Sequence, residues 1–206
     1  MVEHPMECNA PHLPEIGHAA SRSLFRYWES IRGERSAPLR SDISLREIRH
    51  LLPWMFISER KFGDAAHRLR LAGTGVCQLW GDNMTDKDLF ASWSKFERTT
   101  MCKLLDSALI DNHPFVMRCR ARTARDVSVT LEILGLPVQA DDTGSTQVLG
   151  LVVPFQDSEL LRGERLDSFH LVSVRIIWIE PLPKNRASLS HPAGQLQSHL
   201  KLIRGG

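Results

Sequence analysis

The chain has 206 residues, 42% hydrophobic and 24% charged, with 26 basic against 24 acidic side chains and a formal net charge of +2. That length suits one domain with a buried core, or at most two very small ones. The near-neutral balance argues against a nucleic-acid or anionic-membrane surface spread over the whole protein, and no apolar run reaches the roughly 20 residues that span a bilayer.

Residues 1–17 carry Pro and His with no apolar period. They read as a mobile arm without the apolar centre of a secretory signal, so a cytoplasmic location is expected. Cys8, Cys77, Cys102 and Cys119 show no paired spacing, which fits reduced thiols. His4, Cys8 and His12 repeat every four residues, but Pro5 and Pro11 argue against the helix that would align them on a metal. From His18 to Gly33, apolar residues recur at steps of three and four (Ala20, Leu24, Tyr27, Trp28, Ile31) and predict an amphipathic helix ended by glycine. That stripe must be buried somewhere. Leu24, Tyr27, Trp28 and Ile31 are therefore the expected partner surface, and a homodimer through this helix is expected. A shorter helix is predicted next. Ser44 and Glu47 are its capping pair, Ile48, Leu51 and Leu52 its apolar face, and Pro53 closes it.

Residues 54–59 and Arg68–Ala72 read as strands. Three helical pieces follow at about 75–80, 86–93 and 95–110, the last two opened by the capping pairs Thr85/Asp88 and Ser94/Glu97. In the longest, Phe96, Leu104, Leu105, Ala108 and Leu109 form the expected inward stripe. Phe115–Thr123 alternates, with Phe115, Met117, Cys119 and Ala121 on one face and Arg118, Arg120 and Arg122 on the other. Segments 127–138 and 148–154 are almost wholly apolar, so both their faces should be covered. Asp141 to Gly144 supplies the turn between them, and 171–179 is one more strand. Helices first and strands after give an α+β plan with helices segregated on an antiparallel sheet. The arginine row, extended by Arg125, fits an acidic partner or a phosphate-bearing ligand. The plainer reading is the wet face of an edge strand kept basic against edge-to-edge pairing.

Several residues recur in a recognisable order. Tyr27 and Trp28 precede Arg32 and Gly33, then Pro38, Arg40, Asp42 and Ile43; Leu51, Leu52 and Pro53 lead into the first strand. Arg68, Leu69, Leu71, Ala72, Gly73 and Thr74 lie in and after the second strand, and Leu79, Trp80 and Gly81 end the first core helix. Leu131, Glu132, Ile133, Leu134, Leu136, Pro137, Leu149 and Gly150 fall in the closing strands. Over about residues 22–154 this pattern resembles a subgroup of single-domain PAS proteins found mainly in alphaproteobacteria. The resemblance implies a five-stranded antiparallel sheet with short helices on one face, an N-terminal helical extension, and a small internal cavity used for sensing or protein docking. It divides the chain into an arm (1–17), N-terminal helices (18–53), a PAS core (54–154), an extension with one strand (155–180) and a disordered tail (181–206). Cys77, Trp80, Phe90, Trp93, Phe115 and Met117 are then the expected ligand-binding residues, with an unidentified signalling protein as partner.

No shared catalytic residues come with the resemblance. Cys77 lacks the Asn, Arg and second Gln that surround a flavin-reactive cysteine, and buried packing is its plainer reading. His67 and His113 are the candidates for a haem ligand, against the plainer reading of solvated histidines. There is no Cys-x-x-Cys, His-Glu-x-x-His, phosphate loop or nucleophile elbow. Glu132, alone and acidic within an apolar strand, is the one catalytic candidate. The expected protein is a sensory or docking module, not an enzyme, with its cofactor open and neither nucleic acid nor membrane as partner. A ligand-free scaffold and a small-substrate enzyme on an α+β fold are the alternatives.

Overall fold

In the computed structural model, residues 15–60, 66–140, 146–156 and 164–179 are described. The apolar middle of the chain forms β1 (Met55–Glu59), β2 (Arg68–Ala72), β3 (Phe115–Thr123), β4 (Ser128–Gln139) and β5 (Thr146–Pro154). A sixth strand, β6 (Leu166–Ile176), joins them in one antiparallel sheet of order β2-β1-β5-β4-β3-β6. The five-stranded sheet implied by the resemblance is therefore extended by one strand. It begins at Leu166, earlier than the apolar segment suggested, because Phe169 and Leu166 are both buried, brought to one face by the register shift opposite Arg122 and Thr123.

Helix α1 (Ala19–Arg32) lies on one face of the sheet, here the outer face; α2 (Thr74–Trp80) and α3 (Lys95–Ile110) cover the other, the cap face. Two apolar cores result, which is why β4 is buried along almost its whole length. The buried stripe of α1 is Ser21, Leu24, Phe25, Trp28 and Arg32, turned one step from the sequence pattern, so Tyr27 and Ile31 flank it half-buried. In α3 the buried residues are Met101, Cys102, Leu105, Ala108 and Leu109. Phe96, expected inside, is 80% exposed on the first turn. Ser94 caps α3 as its spacing predicts, accepting from the Glu97 N–H (3.2 Å) and donating to its carboxylate (2.6 Å).

Two expected helices are absent. A short 3-10 turn at Arg40–Asp42 precedes Ser44, and after it the chain makes successive turns that end in another at Leu52–Trp54. The Ser44 N–H donates to Tyr27 Oη (2.6 Å), and i to i+3 bonds such as Leu51 N–H to Ile48 O (2.9 Å) replace a helical ladder. At 86–93 the backbone serves the edge of β2 instead. Asp86 adopts φ 62°, its N–H donates to Leu69 O (2.7 Å), and Leu69 N–H donates to Lys87 O (2.9 Å). Backbone groups engaged with a strand cannot also close helical turns.

Candidate functional site

The six residues expected to bind a ligand are gathered on the cap face. Trp80, Phe90, Trp93, Phe115 and Met117 are buried, and half-buried Cys77 packs against them. Beneath them, Gly135 of β4 is paired with Gly150 of β5. A Cβ on Gly135 would lie 2.0 Å from the Phe115 ring, and one on Gly150 would lie 2.0 Å from that of Phe56. The glycines thus let two phenyl rings lie flat on the floor of the cap face.

The ring that closes the roof was not among the expected residues. Phe169 of β6 stacks on Trp80 (centroids 5.0 Å, planes 17° apart) and faces Trp93 (6.2 Å, 7°), while Phe90 meets Trp93 edge-on at 5.4 Å. Offset stacked and edge-to-face pairs add to the apolar burial of each ring. Leu171 N–H, two residues on, donates to the Glu97 carboxylate at 3.0 Å, tying β6 to α3. The bond from the Ser94 hydroxyl, with this one from Leu171, holds the Glu97 carboxyl below its usual range.

On the outer face the most pointed residue is Glu132, which is 0% exposed. Its carboxylate accepts from Gly17 N–H at 2.8 Å and His18 N–H at 2.9 Å, and Arg118 Nε stands 3.6 Å away. These are the backbone N–H groups that open α1, where the helix presents the positive end of its dipole. His18 completes the cap by accepting from Ala20 N–H at Nδ1 (3.1 Å), and Arg22 donates back to the carbonyls of Ile16 and Gly17. Further along, Trp28 Nε1 donates to Pro137 O at 2.8 Å. Leu24 and Trp28, expected to face a partner, lie fully buried against this chain's own Leu134, Leu136 and Leu151.

The arginine row does not sit on an edge strand. β3 lies between β4 and β6, so the reading of its basic face as edge protection is corrected by the sixth strand. Arg122 pairs with Asp126, and Arg125 with Glu164.

The histidines have separate settings. His67 is buried at the head of β2, its Nε2 3.2 Å from Asp106 of α3, which also pairs with Arg60. Burial lowers its pKa, and Asp106 only partly offsets this. His113, in the turn between α3 and β3, meets the exposed Trp178 ring edge-on at 4.7 Å beside an open cavity of about 480 Å³. Burial pushes the Cys119 thiol up to about 12, and Cys77, Cys102 and Cys119 are free thiols. No group of three metal-ligating side chains occurs among the described residues, and His4, Cys8 and His12 lie outside them. No helix among the described residues is long and apolar enough to cross a membrane.

No curated protein matches this sequence. The PAS domain family matches residues 16–153, a span that begins just before α1 and ends in β5, so the N-terminal helix falls inside the family's unit and β6 outside it. With more than half of its length matched, the chain belongs to the PAS domain family.

Proposed function

We propose that this chain is a sensory or docking module of cytoplasmic signalling whose output is the attachment of α1, and that it performs no catalysis. The observation that carries this reading is the anchoring of α1 through one buried carboxylate, Glu132, on the backbone of Gly17 and His18. A helix fastened this way has two discrete arrangements, docked and released, and release would bare the apolar face of β4 and β5 to a partner. Homodimerisation fits the same helix: exchanged between two copies, α1 keeps every contact it now makes. Glu132, with its oxygens directed at α1 and Arg118, serves as an anchor in this reading.

A small molecule seated between Trp80 and Trp93 would take the place of the Phe169 ring and press on β6. The present packing of Phe169 favours docking without an interior ligand as the resting state.

Hydrogen exchange on the full chain and on Glu132→Gln tests the proposal. The substitution removes the charge while keeping one acceptor oxygen, so the expected result is faster exchange across residues 17–32 while β3, β4 and β5 keep their protection. Simultaneous loss of protection in α1 and the sheet would make the helix an ordinary part of the core and overturn the reading.

A further inference from the structure

Beyond the reach of α1, the outer face changes character. Along β4 the outward residues run Leu136, Leu134, Glu132, Thr130 and Ser128; along β3 they run Val116, Arg118, Arg120 and Arg122. On β6, Arg175 stands opposite Val116 and Ser173 opposite Arg118. Arg118 and Arg175 are therefore diagonal cross-strand neighbours, about 7–8 Å apart at the backbone and within mutual reach of their long side chains. They flank an open cavity of about 350 Å³ whose other walls, among the described residues, are Glu15, Val116 and Ser173.

The two arginines differ in a useful way. Arg118 is held in place, with Nε beside Glu132 (3.6 Å) and its guanidinium over the Phe155 ring (5.5 Å), yet its side chain remains 41% exposed. Arg175 is exposed and has no carboxylate partner among the described residues, and the same is true of Arg120 one step along β3. Two guanidiniums, Arg118 and Arg175, thus line the cavity against Glu15 at its rim, while Glu132 is fully buried and already bound and Arg120 stands one step beyond the lining. The accessible surplus is positive, and the donors form a fork-bearing pair with the Ser173 hydroxyl beside it, the arrangement that suits an oxyanion.

We infer that this cavity is a binding site for a small oxyanion, a phosphate or a carboxylate, outside the PAS interior. Its volume exceeds that of a bare phosphate, so a phosphorylated or polycarboxylate small molecule is the occupant that fits. Arg175 and Ser173 would hold the anion from β6, and Arg118 from β3.

Titration calorimetry on the full chain, with inorganic phosphate, glycerol phosphate and succinate as separate probes, tests the site and tells a free phosphate, an ester and a carboxylate apart. Arg175→Ala, a change at an exposed position, should weaken the tightest of the three by about tenfold or more, the loss expected when a charged hydrogen bond is removed. Arg122→Ala, whose side chain is paired with Asp126 away from the cavity, should leave it unchanged. Equal weakening by both substitutions would mean diffuse attraction and would overturn the site, as would the absence of binding by all three probes in the millimolar range.

Discussion

On the cap face, closure is a matter of rings: Phe56 and Phe115 lie over paired glycines, and Phe169 fills the gap between Trp80 and Trp93. On the outer face, a single helix lays Leu24, Phe25 and Trp28 on the sheet, but its first turn is fastened by one carboxylate. Apolar contact is non-directional and shared among many neighbours, so removing the cap means losing the core. A carboxylate anchor is directional and concentrated in few bonds, so its loss falls on one element. Two buried layers on one sheet are thus held by different kinds of contact, which predicts that they open differently.

The largest expected effect lies on the cap face. Phe169→Ala should cost about 3–5 kcal/mol, the range for truncating a buried aromatic, and urea unfolding should remain a single transition. A cost well under 1 kcal/mol would show that β6 is an appendage and that the cap closes without it. Gly135→Ala places a methyl on the Phe115 ring and should cost about 1–3 kcal/mol by overpacking. Restoring stability in the double variant Gly135→Ala with Phe115→Leu would confirm that ring and glycine are one device.

On the outer face, Trp28→Phe removes both the donor to Pro137 O and one ring of a fully buried indole, and should cost about 2 kcal/mol. Exchange should rise in α1 alone; a uniform rise through the sheet would erase the contrast between the faces. The smallest effect should come from His67. Its folded-state pKa is lowered below 6.5, chiefly by burial, so the folded form binds fewer protons than the unfolded chain. Stability is therefore complete above about pH 6.5 and declines as pH falls through the folded pKa. His67→Gln should flatten that part of a pH–stability curve, and an unchanged slope would assign the loss to other groups.

Much of this architecture is legible in the chain. Strand alternation in Phe115–Thr123, the capping pair Ser94/Glu97 and the period of α1 each express a local rule, and each appears in the structure close to where the residues place it. The predicted helix at 86–93 failed because its backbone groups were claimed by Leu69 of β2, a partner distant in sequence. Phe96 failed because a helix's apolar residues outnumber those its packed face can cover. Phe169 went unread as a site residue because it lies ahead of the apolar segment 171–179 that marked the last strand.

Glu132 is the clearest division between the two kinds of information. Its isolation in an apolar strand is visible in the sequence and marks it as costly to bury. What repays that cost, the two N–H groups of Gly17 and His18, lies about 115 residues upstream, where no periodic pattern points to it. Periods of two and 3.6 along the chain mark most of the inward residues, with misses at Phe96 and at the flanks of the α1 stripe. Which inward residues meet is another matter, since register, the sixth strand and the landing place of α1 are set by contacts between distant segments.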